Sequence, residues 1–569
     1  MSTPAGTFVA ALARLYPWTV EPSEELRDSL AFLGWAVTPA QLVRAGYGAG
    51  FVVGGLSLVA LPFVPASAWL GGALVTCTLA LLVVHTVHSL PGVAATARRT
   101  SALGAAPDLV VRAVLSMRLT PTPERAAEFA ATTGEGVLAD SLASHVRRNR
   151  NTARSGLDTF GDEWADLFPA LRRSFALVVV AGRTTATDRH RLLDRALSVV
   201  LDGTRTQLQA FATRIRAPVT ALYAFGVLVP TALVALLPAA GAAGVVVTLP
   251  TVVVLYNVLL PAMLTGISVW LLARRPVAFP PPAVTRAHPD VRDTRRLALA
   301  GGLVVALAGW FATDRLFPSW GPPIAAVGLG CGVALGAANW PVVAVYGHVR
   351  DAEAGLSDAL ELVGRRVANG QAVESTVEHV AVELDGAMGD LLVAGARQQR
   401  QLHVGIHEAF LGRYGVLDTV PSPRVRGSFA LLSLAADEGR PAGVALLAMA
   451  EHVDDLQRIE QEAREQLSYI CQTLVNTASL FGPMVAGATV ALADAIGSED
   501  ELLGGEQSLD WLGAPVGLYV LFLAVVLTAL SVGLIRGFDR SLIGYRVGRA
   551  LVYSTLTYLG SYLLVGQLL

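Results

Sequence analysis

His403 and His407 stand four residues apart with Glu408 beside the second. On one face of a helix that spacing can hold a divalent metal. A third ligand at a set distance and a zincin motif are both absent, so a solvated helix face is the expectation and no metal site is assigned. His85 and His88 fall near one end of an apolar stretch, where ionisable side chains reach for the interface. All 43 basic residues are Arg. A phosphate-binding loop of the Walker A type needs Lys, and so does a Schiff base. Any ATP-driven work must therefore draw on an ATPase supplied by a partner. There is no nucleophile elbow, dinucleotide fingerprint or CxxC, and three cysteines are too few for a disulfide framework. The expectation is a non-enzyme with no catalytic residue and no cofactor.

The remaining chemistry is cationic. Arg147, Arg148, Arg150, Arg172, Arg173, Arg365, Arg366, Arg424 and Arg426 cluster in two polar blocks. Such groups suit an acidic protein surface or anionic lipid. Arg172, Arg173, Arg365, Arg366, Arg424 and Arg426 are the docking candidates. A net charge of -2 gives no bias toward nucleic acid.

The elements that carry these residues are apolar runs alternating with polar blocks. Charged residues make up 15% and mean hydropathy is +0.53. A soluble protein carries roughly 25% charged. Nine runs read as membrane spans by length: about 46–65, 68–90, 217–239, 242–273, 296–312, 322–346, 473–494, 512–535 and 549–568. Residues 242–273 are long for one crossing, and Pro250 and Pro261 can split them; loop charges favour one kinked helix. The 274–296 and 536–549 connectors are Arg-rich and predicted to be cytoplasmic, whereas the acidic 495–511 loop is predicted to be outside. This places the N-terminus and both polar blocks on the cytoplasmic side of the cell membrane and the C-terminus outside. Trp69, Trp310, Trp320 and Trp511 fall at outer ends, and Trp270 and Trp340 toward inner ends, as an aromatic belt would. Gly46, Gly50 and Gly54, and again Gly328, Gly332 and Gly336, recur every fourth residue and predict close helix packing. Asn257 and Asn339 read as helix–helix hydrogen-bonding residues.

The domain plan that follows is an amphipathic segment at 1–44, with a helix starting at Pro22-Ser23-Glu24-Glu25, and an apolar pair at 45–90. Polar domain one covers 91–216 and the second pair 217–273. A Pro/Arg-rich linker occupies 274–295, the third pair 296–346 and polar domain two 347–472. The fourth pair is 473–535, and a loop with a last span covers 536–569. Both blocks lack strand patterns. Stripes such as Leu201, Leu208, Phe211 and Ile215 run at helical spacing into the following span. The fold expected is all-α and polytopic, with about nine transmembrane helices and two helical bundles. Ser174-Phe175-Ala176-Leu177 matches Ser428-Phe429-Ala430-Leu431 at an offset of 254, and Gly136 and Asp140 match Gly386 and Asp390 at 250. A tandem duplication is the simplest source of such offsets.

Two apolar pairs bracketing helical domains, written twice, resemble the type II secretion system F family, most closely its archaeal pilus and archaellum platform members. Phe481-Gly482-Pro483-Met484-Val485-Ala486-Gly487-Ala488-Thr489 is similar to a segment common in those proteins. Asp437-Glu438-Gly439-Arg440-Pro441 is similar to the family's acidic-Gly turn, where block one has Ala181-Gly182-Arg183-Thr184. The resemblance covers most of residues 40–540. It implies a non-enzymatic membrane platform for pilus assembly or protein secretion. A hexameric cytosolic secretion ATPase would dock on the cytoplasmic domains, and pilin-like subunits would pass from the bilayer into a filament. Monomer and homodimer both remain open. The alternative reading is a secondary transporter with parallel internal repeats. A membrane scaffold with signalling domains is a third, without kinase, cyclase or receiver motifs to support it.

Overall fold

A computed structural model describes residues 4–60, 69–134, 136–150, 154–242, 248–276, 284, 286, 288–438, 441–502 and 510–568. Among these residues the regular structure is helical throughout. The N-terminal segment holds α1 (Pro4–Arg14) and α2 (Glu24–Leu33). Ser23 caps α2 by accepting from the Leu26 N–H at 3.3 Å, a bond type that contributes about 1 kcal/mol. Gly34 ends it at φ 67, where a Cβ would be strained. Leu26, Leu30 and Leu33 are buried as their spacing predicts. The helix α1 has no counterpart in the sequence reading.

The first apolar pair is α3 (Pro39–Ala60) and α4 (Trp69–Leu103). Block one follows as α5 (Ala106–Leu119), α6 (Pro123–Thr133), α7 (Val137–Asn149), α8 (Gly156–Glu163), α9 (Pro169–Ala181) and α10 (Ala186–Tyr223). A π-turn at Ala224–Leu228 carries α10 straight into α11 (Val229–Ala242). Next come α12 (Leu249–Val254), a π-turn at Leu255–Leu259 and α13 (Leu260–Ala273), then α14 (Arg295–Thr313) and α15 (Gly321–Ala354). Block two is α16 (Leu356–Ala368), α17 (Val373–Glu383), α18 (Ala387–Leu402), α19 (Ile406–Leu411), α20 (Pro423–Glu438) and α21 (Pro441–Asn476). A third π-turn, Thr477–Phe481, leads into α22 (Gly482–Leu502), and α23 (Gly513–Arg536) and α24 (Arg540–Leu568) complete the chain.

Among the described residues, eight helical segments are long and apolar enough to cross a membrane, lying within α3, α4–α5, α10–α11, α12–α13, α14, α15–α16, α21–α22 and α23. The protein is thus all-helical and multi-pass. The expected ninth, α24, is long but falls short in hydropathy. Ser554, Thr555, Tyr558 and Ser561 lower its average, and all four are buried against neighbouring helices rather than facing outward. The expected 242–273 span is a single helix, shorter than predicted: it begins at Leu249, with Pro250 in its first turn. Proline is favoured there because its missing N–H has no helical partner to lose. The boundaries expected at 44/45, 90/91, 216/217, 346/347 and 472/473 all fall inside continuous helices. Part of the expected acidic loop is helical as well, since α22 runs on through Glu499, Asp500 and Glu501. Pro280, Pro281 and Pro282 lie outside the described residues, as do Gly439 and Arg440 of the acidic-Gly turn.

The three π-turns share one cause. Each is followed by proline as the second residue of the next helix: Pro230, Pro261 and Pro483. Proline cannot donate to the carbonyl four residues back and its ring crowds that carbonyl. Widening the turn to an i→i+5 bond moves it clear. The freed carbonyl then needs another donor. Gly226 C=O accepts from the Tyr519 hydroxyl, and Ser479 C=O accepts from the Thr557 hydroxyl at 3.3 Å.

Helices of the two blocks correspond one to one. Ala106 and Leu356, Pro123 and Val373, Val137 and Ala387, and Gly156 and Ile406 open helices 250 residues apart. Gly136 and Gly386 precede α7 and α18 with the same glycine-only backbone, φ 88, ψ -174 and φ 86, ψ -169. Each block has its own apolar core, built around Phe160 and Phe175 in one and Phe410 and Phe429 in the other. The cores are not separate bodies, because Val111 and Leu115 of α5 are buried in the core of block two.

Candidate functional site

The glycine stripes lie at helix contacts. A Cβ on Gly46 would stand 2.5 Å from His88 Nε2, one on Gly50 2.6 Å from Val84, and one on Gly54 3.8 Å from Ala80, so α3 lies close on α4. His88 Nε2 is also 3.0 Å from Val43 O, which gives this histidine a packing role. On α15, a Cβ on Gly328 would meet Thr555 Oγ1 at 1.9 Å and one on Gly332 would meet Gly548 O at 2.8 Å. Gly336 has open space at its own Cβ position, but a Cβ on Gly548 would come within 2.5 Å of the Gly336 nitrogen. Gly544 and Gly548 of α24 are therefore partners in this packing that the sequence reading missed, although they too stand four apart.

Other expected side chains are placed differently. His403 and His407 do not share a helix face: α18 stops at Leu402 and His403 turns left-handed at φ 53. Among the described residues no group of His, Cys, Asp and Glu could hold a metal ion. Asn339 accepts from Arg286 of the linker at 2.8 Å and donates to Leu335 O of its own helix at 2.8 Å, in place of the expected helix–helix bond. Asn257 Oδ1 is buried with no hydrogen-bond partner among the described residues. Trp320 is the buried centre of an aromatic cluster with Phe317, Tyr558 and Tyr562. Tyr562 in turn donates to Asp494 at 2.6 Å.

The docking candidates divide by position. Arg172 and Arg173 lie on α9, with Arg172 2.9 Å from Asp162. Arg365 and Arg366 end α16, paired with Glu361 and Glu383. Exposed pairs of this kind contribute about 0–1 kcal/mol, so their cations stay available to a partner. Arg424 and Arg426 open α20 and line a cleft between the two blocks. Arg426 is held by Asp418 at 2.7 Å and Arg424 by Glu460 at 3.3 Å.

That cleft encloses about 640 Å³. Its floor is Arg112 of α5, whose side chain is 8% exposed and whose Nε lies 2.8 Å from Asp108. Arg112 Nη1 donates to Thr133 O at 2.8 Å. Gly427 makes room for the guanidinium: a Cβ there would stand 2.5 Å from Nη2. Arg98 reaches the cleft from α4 and donates to Leu33 O at 3.2 Å. A second interblock cavity, about 860 Å³, lies between α10 and α21 and is bridged by Arg205 and Glu462 at 2.8 Å. His452 lines it, buried, with neither ring nitrogen hydrogen-bonded among the described residues. Arg275 donates to the carbonyls of Leu534 at 2.7 Å and Ile535 at 3.1 Å, closing the end of α23. Burial lowers the Arg275 pKa to about 10, which leaves it charged at neutral pH.

No protein-family model, curated protein or solved structure matches the chain.

Proposed function

We propose that this chain is a non-enzymatic membrane platform for a type IV pilus-like assembly or secretion machine, built by tandem duplication. The observation that carries the reading is the pair of long helices, α10–α11 and α21–α22. Each runs from a polar helical block into an apolar segment without a break. The matched helix starts, matched glycine backbones and matched π-turns support the duplication. In this reading both blocks face the cytoplasm, α24 is a ninth crossing shielded by its neighbours, and the C-terminus is outside. A hexameric ATPase docks on Arg172, Arg173, Arg365 and Arg366, and pilin-like subunits leave the bilayer along the helices.

Topology is tested with single cysteines in a variant lacking Cys77, Cys331 and Cys471. An impermeant thiol reagent on intact cells should label Ser498→Cys and spare Ser155→Cys; the reverse pattern overturns the sidedness. Docking is tested by reversing Arg172, Arg173, Arg365 and Arg366 to Glu. Less ATPase should co-purify at native salt while membrane insertion is unchanged. Undiminished recovery and full filament counts remove these residues from the mechanism. Normal filaments after deletion of the gene, with no paralogue present, remove the platform reading.

A further inference from the structure

The two interblock cavities carry opposite charge. The larger one is lined by five acids and three Arg: Asp194, Asp202, Glu451, Asp455 and Glu462 against Arg118, Arg205 and Arg458. The smaller one has four guanidiniums, from Arg98, Arg112, Arg424 and Arg426, and among its described lining residues one acid, Asp108. Each of the four makes at least one bond within the protein. A guanidinium has five N–H donors, more than the bonds that Arg98, Arg112 and Arg426 make here. The first turn of α7, at Gly136, Val137 and Leu138, also lines the cleft, and it has no side-chain cap. Its N–H groups and the helix dipole favour an anion.

Charge is only half of the lining. Ala102, Leu138, Leu411, Ala430 and Leu456 add an apolar wall to the same lining, with Ala102 and Ala430 one helical turn from Arg98 and Arg426. A volume of this size between two domains suits a small organic molecule. We propose that this cleft binds a phosphate ester carried on an apolar or planar organic body. The guanidiniums take the phosphate, where planar forks pair bidentately with its oxygens, and the body lies on the apolar wall. Because Arg98 comes from α4, Arg112 from block one and Arg424 and Arg426 from block two, a bound ligand ties the two blocks and α4 together. The proposal does not depend on the platform reading.

The test uses the full chain in phosphatidylcholine nanodiscs, titrated by calorimetry with adenosine 5′-monophosphate. Saturable binding is expected, tighter than for inorganic phosphate or adenosine alone. Arg98→Gln and Arg426→Gln, both at exposed positions, should each weaken it by about tenfold or more, the scale of one charge-assisted hydrogen bond. Ala430→Trp should abolish it by filling the cleft without changing charge, and Arg191→Gln at an exposed position of α10 should leave it unchanged. Unfolding temperatures of the unliganded variants separate lost folding from lost binding. Arg112 is left intact because its burial makes a folding defect the expected result there. A second arm replaces phosphatidylcholine with phosphatidylglycerol. Loss of nucleotide binding there, with a rise in unfolding temperature that the three cleft variants lack, identifies a lipid headgroup as the phosphate source. Unchanged nucleotide binding identifies a soluble ligand. No saturable binding in either arm, or wild-type affinity in all three cleft variants, overturns the site.

Discussion

At residues 224–230 and again at 477–483, the last helix of a polar block meets proline just after a π-turn, and the same backbone defect is repaired differently. In the first case the donor is the buried Tyr519 on α23, whose ring stands edge-on to Tyr256 at 5.5 Å. In the second it is Thr557 on α24, through a longer 3.3 Å bond. The first junction is thus braced by a helix of the other half, and the second by the helix left over at the end. The difference gives α24 a structural task that its modest hydropathy hides: it completes the second half.

Substitutions can break this contrast. The largest effect is expected from Gly332→Leu, which drives a side chain into Val552 and the Gly548 carbonyl and pushes α24 off α15. A loss of about 3 kcal/mol, the upper end for overpacking, should appear in detergent unfolding, while the Tyr519 junction stays intact. Gly336→Ala, with open space at its Cβ, should be neutral or stabilise by up to about 1 kcal/mol through helix propensity. Equal losses for the two would mean that α24 does not pack as described.

Tyr519→Phe keeps the ring and removes only the donor to Gly226. Hydrogen bonds between membrane helices average about 0.6 kcal/mol and reach about 1.7. A carbonyl already deprived of its helical donor should fall at the upper end, so a loss of about 1.5 kcal/mol is expected. Thr557→Val should cost about 0.6 kcal/mol, because its bond is longer and less buried. The double variant should be additive within about 0.5 kcal/mol if the junctions are independent. A measured coupling above that would show the two halves to be one cooperative unit. In Gly332→Leu, Thr557→Val should have little further effect, since α24 has already moved.

Local signals were legible in the sequence. Ser23-Glu24-Glu25 marked a helix start because a cap is a contact within one turn. The stripe from Leu201 to Ile215 marked a helix running into an apolar segment because its period persists. His403 misled because spacing of four is helical only while the chain stays helical, and the left-handed residue that ends α18 leaves no mark in a window that short. The cleft was out of reach for a different reason. Arg424 and Arg426 were visible as cations, but Arg98 and Arg112 join them only through the packing of α5 against block two, a contact spanning some three hundred positions of chain. The π-turns were foreshadowed by Pro230, Pro261 and Pro483, yet nothing local says which distant hydroxyl repairs each carbonyl.

The unbroken helices have a mechanical consequence. The segments Ala186–Leu237 and Gly443–Ile496 have 52 and 54 residues, so each is a rod of about 80 Å at 1.5 Å per residue. A helix resists bending except where its hydrogen-bond ladder is interrupted: at the π-turn ahead of a proline in each rod, and also at Pro218 within the first. Torque applied to a polar block therefore reaches the apolar layer through rods whose compliance is concentrated at residues 224–228 and 477–481 and, in the first, around Pro218. Stiffness is a property of these two rods; the hydroxyls of Tyr519 and Thr557 set how freely their π-turn elbows swing.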